Sequence, residues 1–379
     1  MRSFLNLKLI TGSLLLPIAV AGQYNVSVAV TQLPPYHPQQ ADLFLAGSFN
    51  GWNPADTAYR FQHEGNTYRL NISLPPGEYA CKITRGSWEK TECKTDGNDV
   101  PNRVFRIGRD TAISWQVDCW TDRFPRPARL STASAQVQVL DTAFLIPQLN
   151  RARRVWIYLP KNYASGQQRY PVVYMQDGQN VFDDATSFSG EWGVDEYLDS
   201  SGTPCIVVAI DHGGQRRLKE YNPYNLDSIT GEGKKYAAFL AKTLVPYIDK
   251  KFRTQPHAKD RILAGSSMGG LISFYTALMY PEIFGGAAVL SPAFWTARPL
   301  AEMVKEKAKN FKGKMFAYAG EKESAKMVTD MQSIFGLMQK KSKGEFQVAV
   351  NPEGRHTESE WRKVFPRALE WLLGEVNGE

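Results

Sequence analysis

A serine set between glycines, a late histidine and a pair of glutamates are the residues of this 379-residue chain whose types and spacing could do chemistry. Ser267 stands in Gly265-Ser266-Ser267-Met268-Gly269, between the apolar run "RILAG" and the helix-like "MGGLISFYTALMY". A serine at a sharp strand-to-helix turn has its hydroxyl lifted clear of the sheet. The helix start beyond it offers the Met268 backbone N–H to a developing negative charge. Glycine is needed at 265 and 269 because a side chain there would collide with the neighbouring strand or helix. The chemistry that suits such an elbow is nucleophilic attack on an acyl carbon. Ser266 lies one position early and points elsewhere.

Serine needs a base, and histidine is the usual one. The chain has five histidines, His37, His63, His212, His257 and His356. In the fold built around this type of elbow the chain order is serine, acid, histidine, and only His356 follows Ser267. It stands in "NPEGRHTESEW", after the apolar run "FQVAV" and before a helix-like segment, where a loop can reach over a sheet. The acid belongs on a loop after an intervening strand. "KMFAYAGEKESAKM" supplies Glu321 and Glu323 directly after Gly320, and either carboxylate could orient an imidazole. Asp330 lies deeper in the next helix and is less suited. "DGQNVFDD", 177–184, lacks the ligand spacing and closing glutamate of a calcium loop. No Cys-x-x-Cys pair or Cys/His cluster implies zinc, so no metal is expected.

Elements able to hold these residues are visible in the second part of the chain. "YPVVYM", "PCIVVAI", "RILAG", "GAAVLS", "KMFAYAG" and "FQVAV" alternate with helix-like stretches at 234–250, 268–280 and 324–340. Continuous apolar strands between helices imply a mainly parallel sheet covered on both faces, hence an α/β architecture. The first part differs. From 24 to 120, "NVSVAV", "DLFLAGSF", "TYRLNISL", "EYACKITRG", "RVFRIG" and "AISWQV" are short, alternating and separated by turn residues, as in a small all-β, immunoglobulin-like sandwich. "TDRFPRPARLSTAS", 121–134, is polar and proline-rich, as a linker is. The organisation expected is a signal segment at 1–21, a β-sandwich at 22–120, the linker, and a catalytic domain at 135–379.

Composition agrees with two globular domains, at 43% hydrophobic and 22% charged residues. Arg2 and Lys8, an apolar run and Ala19-Val20-Ala21 have the order of a secretory signal, which places the mature protein in the periplasm or outside the cell. The run is too short to span a bilayer comfortably, and no later one is long enough, so no stable membrane insertion is expected. Loss of two positive charges with the signal takes the formal charge from +7 to 7 − 2 = +5. Short basic clusters such as "RARR", 151–154, read as solvated surface, and no basic stripe points to nucleic acid. Export permits disulfides among Cys81, Cys93, Cys119 and Cys205. Cys81 and Cys93 flank Ser87 symmetrically, which suggests a cross-strand bridge.

Residues 135–376 resemble the esterase D type of α/β-hydrolase, a group with feruloyl, acetylxylan and enterochelin-type esterases. The matching stretches are "RRVWIYLPKNY", "YPVVYMQDGQNVFD", "GSSMGG", "GEKES" and "GRHTESEWRKVFPRALEWL". The resemblance implies a serine carboxylesterase without cofactor, with Ser267 and His356 catalytic. The family carries its acid at the end of a Gly-x-x-Asp/Glu pattern, here Gly320-Glu321-Lys322-Glu323, which selects Glu323; glutamate replaces the commoner aspartate. The second oxyanion donor follows the family's His/Asp-Gly pair and falls on the Gln179 backbone, beside Met268. "LFLAGSFNGWNP" and "EYACKITRGSWEKTE…NDVPNRVF" resemble glycogen- and starch-binding β-sandwich modules, which implies sugar contacts at Trp52, Trp88 and Asn102. The family's lysine falls one position off, at Lys82 against Cys81. Export and the sugar-binding resemblance favour acylated carbohydrate, of feruloyl or acetyl xylan type, as substrate. The alternative is a siderophore trilactone, suggested by "DHGGQRRLKEYNPY", whose Arg216 and Arg217 could meet an anionic catecholate. A non-catalytic glycan-binding protein is the reading of another class, and an intact elbow, acid and histidine oppose it.

Overall fold

The computed structural model describes residues 22–374 apart from 66, 125–128 and 227–228, so the expected signal at 1–21 lies outside the described residues. The chain divides into two units, Met1–Pro127 and Ala128–Glu379.

The first unit is all-β. Its strands are β1 (Tyr24–Gln32), β2 (Phe44–Gly47), β3 (Gln62–Glu64), β4 (Thr67–Leu74), β5 (Gly77–Thr84), β6 (Glu92–Cys93), β7 (Arg103–Ile107), β8 (Thr111–Gln116) and β9 (Cys119–Trp120). They form sheets ordered β3-β4-β1-β8 and β2-β5-β7, with a small β6-β9 pair. Strand alternation puts every second side chain on one face, and Val26, Val28 and Val30 of β1 are buried with Leu45, Cys81, Ile83 and Phe105. The expected Cys81–Cys93 bridge is not formed: all four cysteines are free and buried. Across the turn at Ser87, Thr84 and Thr91 bridge and the Arg85 N–H donates to Lys90 O. Cys81 faces the core from β5, whereas Cys93 lies opposite Cys119 in the β6-β9 pair.

The second unit is built on one eight-stranded sheet, ordered β10-β11-β13-β12-β14-β15-β16-β17. Its strands are β10 (Val137–Ile146), β11 (Arg151–Tyr158), β12 (Val172–Gln176), β13 (Ile206–Ile210), β14 (Arg261–Ser266), β15 (Gly286–Leu290), β16 (Lys314–Gly320) and β17 (Glu345–Asn351). β10 and β11 run antiparallel to their neighbours, and the six others run parallel. Every residue of β12 to β15 is buried, as covering both faces of a parallel sheet demands. Val172 and Tyr174 belong to the core on one face, Val173 and Met175 to the core on the other. The covering helices are α1 (Val194–Ser201), α2 (Arg217–Tyr221), α3 (Gly233–Phe239), α4 (Val245–Lys251), α5 (Met268–Met279), α6 (Leu300–Lys307), α7 (Met327–Lys341) and α8 (Glu358–Leu373). The single helix expected over 234–250 is α3 and α4 joined through a π turn, Leu240–Leu244.

Two surface readings change. The "RARR" stretch is not solvated polar surface, because Glu220 is buried and draws Arg151 Nη1 to 2.8 Å and Arg153 Nη2 to 2.5 Å. A buried carboxylate without such partners would be strongly destabilising. Residues 129–134 do not behave as a free linker either. Ser131 Oγ donates to Asp183 (2.9 Å), Thr132 Oγ1 to Glu191 (2.9 Å) and the Ser134 N–H to Asp195 (2.7 Å), so this end of the expected linker belongs to the α/β unit.

Candidate active site

Three neighbouring parallel strands each end in a residue with an uncommon backbone. β12 is followed by Asp177 (φ 58°), β14 by Ser267 (φ 57°) and β15 by Ser291 (φ 44°). These are three of the five non-glycine residues with positive φ among the described residues, so backbone strain gathers at one edge of one sheet. Such conformations persist only where the surroundings over-determine them, and they cluster at functional sites.

At the middle position Ser267 precedes α5, with φ 57° and ψ −121°. The flanking glycines are sterically required. A Cβ on Gly265 would meet the Gly269 backbone at 2.7 Å, and one on Gly269 would meet Asp177 Oδ2 at 2.9 Å and Gln176 Cβ at 3.0 Å. Ser266 is buried at the strand end, while Ser267 is partly exposed. The Met268 N–H lies in the first turn of α5, where no intrahelical acceptor is available.

Gln179 lies in the 3₁₀ turn Gly178–Asn180 that follows β12, the strand beside β14. Its side-chain Oε1 accepts from the His212 N–H at 3.3 Å. The start of this turn is clamped by Arg217, whose Nε and Nη2 donate to Asp177 Oδ1 (2.6 Å) and Oδ2 (2.8 Å). A bidentate fork of this type fixes orientation as well as charge. The structure therefore separates the two arginines considered for an anionic substrate. Arg217 is committed to Asp177, and Arg216 is exposed on the turn before α2.

The acid and the histidine meet where β16 and β17 end side by side. The Glu321 N–H donates to Asn351 O (3.0 Å) and the Lys322 N–H to Gly354 O (3.1 Å), which sets the register of the two loops. In that register Glu323, not Glu321, reaches the histidine: His356 Nδ1 lies 2.7 Å from Glu323 Oε2. Glu321 is exposed. The Glu323 side chain is only 1% exposed, against 35% for His356. A carboxylate accepts, so Nδ1 carries the proton and Nε2 is left free to take one. Glu323 Oε1 is satisfied by the Gly320 N–H (2.6 Å) and by Ser291 Oγ (2.7 Å). Ser291 in turn accepts from Trp361 Nε1 at 2.9 Å. The Trp361 ring meets His356 edge-on, with centroids 4.9 Å apart. Sequence reasoning missed Ser291 and Trp361 as members of this chain. The available signals were the end of "GAAVLS" and the tryptophan five places after the histidine. Among the described residues no hydrogen bond joins Ser267 Oγ to the His356 ring; that contact is often long before substrate binds.

His212 lies beside the Gln179 turn, and the other histidines lie elsewhere. His37 is engaged by Tyr68 and Trp120 in the β unit, and its burial lowers its pKa to about 4. His257 precedes the short turn before β14. In the β unit Trp52 (φ 60°) and Trp88 place their ring centroids 6.4 Å apart at 38°, both partly exposed, and Asn102 is exposed. Lys82 and not position 81 carries the outward side chain, and its ammonium donates to Val100 O. Among the described residues no group of His, Cys, Asp and Glu is arranged to hold a metal ion, and no helix is long and apolar enough to cross a membrane.

Residues 146–372 match the Esterase family. The chain is 26% identical over 242 residues to the uncharacterized protein YbbA of Bacillus subtilis, covering 59% of this chain and 93% of that protein. It is 27% identical over 224 residues to an endo-1,4-beta-xylanase/feruloyl esterase of Xylanibacter ruminicola, covering 57% of this chain and 29% of that protein. Among solved structures, the enterochelin esterase of Shigella flexneri superposes with a TM-score of 0.50 at 15% identity, over 93% of each chain. That likeness bears on fold alone.

Proposed function

The chain belongs to the Esterase family, and from that premise we propose that it is an exported serine carboxylesterase acting on acyl esters of carbohydrates. The carrying observation is the 2.7 Å contact of His356 Nδ1 with the sealed Glu323 carboxylate, at the same sheet edge as the strained Ser267. Ser267 Oγ attacks the ester carbonyl carbon as His356 Nε2 takes its proton. Negative charge moves to the carbonyl oxygen, where the N–H groups of Met268 and Gln179 receive it. Collapse of this intermediate breaks the bond to the alcohol, which leaves with the proton from His356. Water then repeats the sequence on the acyl-enzyme, releasing the acid and restoring Ser267. Glu323 holds the imidazole and balances its charge while it is protonated.

Two exposed aromatic side chains favour an aromatic acyl group of feruloyl type over acetate. Phe188 (64% exposed) follows the Gln179 turn, where its N–H donates to Asn180 Oδ1 (3.0 Å). Trp295 (47% exposed) lies two residues beyond Ala293, whose N–H donates to Ser267 O (3.0 Å). Flat apolar surfaces near a reacting centre suit an aryl group. The feruloyl esterase relative and the tryptophan pair of the β unit support a carbohydrate ester in the same sense. A siderophore trilactone is the second reading, favoured by the exposed Arg216.

The decisive test is covalent labelling. Diethyl p-nitrophenyl phosphate should phosphorylate Ser267, as read by peptide mass mapping. Label on Ser266, or no label where a control hydrolase is modified, would overturn the assignment. Release of ferulate from feruloylated xylo-oligosaccharide should exceed both acetate release from acetylated xylan and opening of enterobactin in kcat/KM. N-terminal sequencing of protein recovered from outside the cytoplasm should begin near residue 22.

A further inference from the structure

Glu358 is an ionisable side chain at this site that the proposed reaction does not use. It opens α8, two residues after His356, and is half-buried. Its Oε1 accepts from Asn180 Nδ2 at 3.4 Å, so it joins the histidine loop to the turn that carries Gln179. The charges around it are already matched to one another. Arg217 is bidentate on Asp177, and His356 is on Glu323. Among the described residues no lysine or arginine forms an ion pair with Glu358. Burial raises its pKa, Asp177 pushes the same way, and His356 and Arg217 oppose them. When ionised, it is a negative charge between the histidine loop and the Gln179 turn, without a lysine or arginine ion-paired to it among the described residues.

We propose that Glu358 is a specificity-determining residue that sets the charge preference of the site, accepting hydrogen bonds from uncharged polyol alcohols and disfavouring esters with an anionic group near the scissile bond. The inference rests on the esterase reading and sharpens it: a sugar ester fits this surface and a catecholate does not. A carboxylate held in partly desolvated surroundings acts over several ångströms, because water screens it less than at an open surface. Specificity of this kind comes from repelling the wrong partner as much as from holding the right one.

The test uses the full chain and compares acetate release from two para-substituted phenyl acetates, the neutral methyl 4-acetoxybenzoate and the anionic 4-acetoxybenzoate. The ratio in each variant is read against the native ratio, so that the intrinsic reactivity difference cancels. The native protein should prefer the neutral ester, and added salt should shrink that preference. In Glu358→Gln the ratio of kcat/KM, neutral over anionic, should fall about tenfold and lose most of its salt dependence. Glu358→Asp keeps the charge and should keep the preference; it also serves if the glutamine variant folds poorly. Turnover with a ratio unchanged within twofold in Glu358→Gln overturns this inference and leaves the esterase reading intact. A folded protein that neither hydrolyses the two esters nor takes the phosphoryl label at Ser267 overturns both.

Discussion

The α/β unit and the β unit hold their candidate sites by different means. In the α/β unit, Asp177, Ser267 and Ser291 each follow a strand of one sheet and each has positive φ, so the backbone itself forms the site. Side chains then lock what the backbone presents: Arg217 on Asp177, and Trp361 through Ser291 onto Glu323. In the β unit the candidate surface is two tryptophan rings, one on the turn after β2 and one in the 3₁₀ turn Trp88–Lys90. Truncating a partly exposed ring leaves the strands as they were. A site made by strained backbone tolerates little change around it, whereas a site made by exposed rings can be removed with little loss of fold.

The largest effect should come from Ser267→Ala, which removes the nucleophile and leaves the elbow. Activity on p-nitrophenyl acetate should drop by roughly 10³ to 10⁶-fold, with an unchanged unfolding transition. His356→Ala should fall in the same range. Retained activity after either change, with loss in Ser266→Ala or His212→Ala, would break the assignment.

Gly269→Ala tests the backbone side of the comparison directly. Its new methyl would meet Asp177 Oδ2 at 2.9 Å and Gln176 Cβ at 3.0 Å, so the turn must shift. Esterase activity should fall by about 100-fold or more, since small displacements of reacting groups weigh heavily on rate. Calorimetry should also show a lower Tm. Activity within threefold of the native protein would show that the site is more forgiving than its strain implies.

Ser291→Ala should have an intermediate effect. It removes one hydrogen bond to Glu323 and leaves the Trp361 N–H without its partner. Losing a buried hydrogen bond costs about 1–3 kcal/mol, so kcat should fall about 5- to 100-fold with KM little changed. Equal loss in kcat and KM would point to a general loosening instead.

On the β unit, Trp52→Ala and Trp88→Ala should leave hydrolysis of a small soluble ester within twofold of native. If the rings bind sugar, the same variants should lose retardation of the full chain in gels containing soluble glucan or xylan. Native protein that migrates freely in every such gel would remove the sugar-binding half of the comparison.

The smallest effect is in pH, where the units should respond with opposite sign. Burial lowers the His37 pKa from 6.5 to about 4, so the unfolded chain binds a proton that the folded β unit refuses between those values. That contribution is present above pH 6.5 and is lost as pH falls towards 4. In the α/β unit, burial raises Asp195 from 3.8 and Glu191 from 4.5, each to about 7. There the folded state holds the extra protons, so the contribution is present below about pH 4 and is lost as pH rises through 7. Acidification from pH 7 to 5 should lower the β-unit transition relative to the α/β transition by roughly 2–5 °C. His37→Gln should flatten one side of this divergence and Asp195→Asn the other. Parallel shifts in both transitions would count against the burial argument.

Local pattern was enough for most of the elements and for naming the two ends of the candidate site. Glycines at 265 and 269 between an apolar run and a helical one imply an elbow, because few other residues fit a turn that close. His356 followed from chain order, since no other histidine comes after Ser267. The six apolar runs of the second part became parallel strands, and the six short runs of the first became six of the nine described strands of the small sheets. What residue chemistry alone left open depended on partners distant in the chain. Glu321 and Glu323 are equivalent as chemistry; the family pattern pointed to Glu323, and backbone bonds that tie the loop after β16 to the loop after β17 bring it to His356. Arg217 resembles Arg216 until Asp177, forty positions away, takes its guanidinium. Cys81 and Cys93 flank a turn evenly, yet strand pairing faced one into the core and the other towards Cys119. Ser291 and Trp361, seventy positions apart, have no shared pattern at all. Periodicity and turn chemistry act over a few residues and can be read from the chain alone. Register between loops and the pairing of buried charges exist only once the strand ends have been brought to one edge of the sheet.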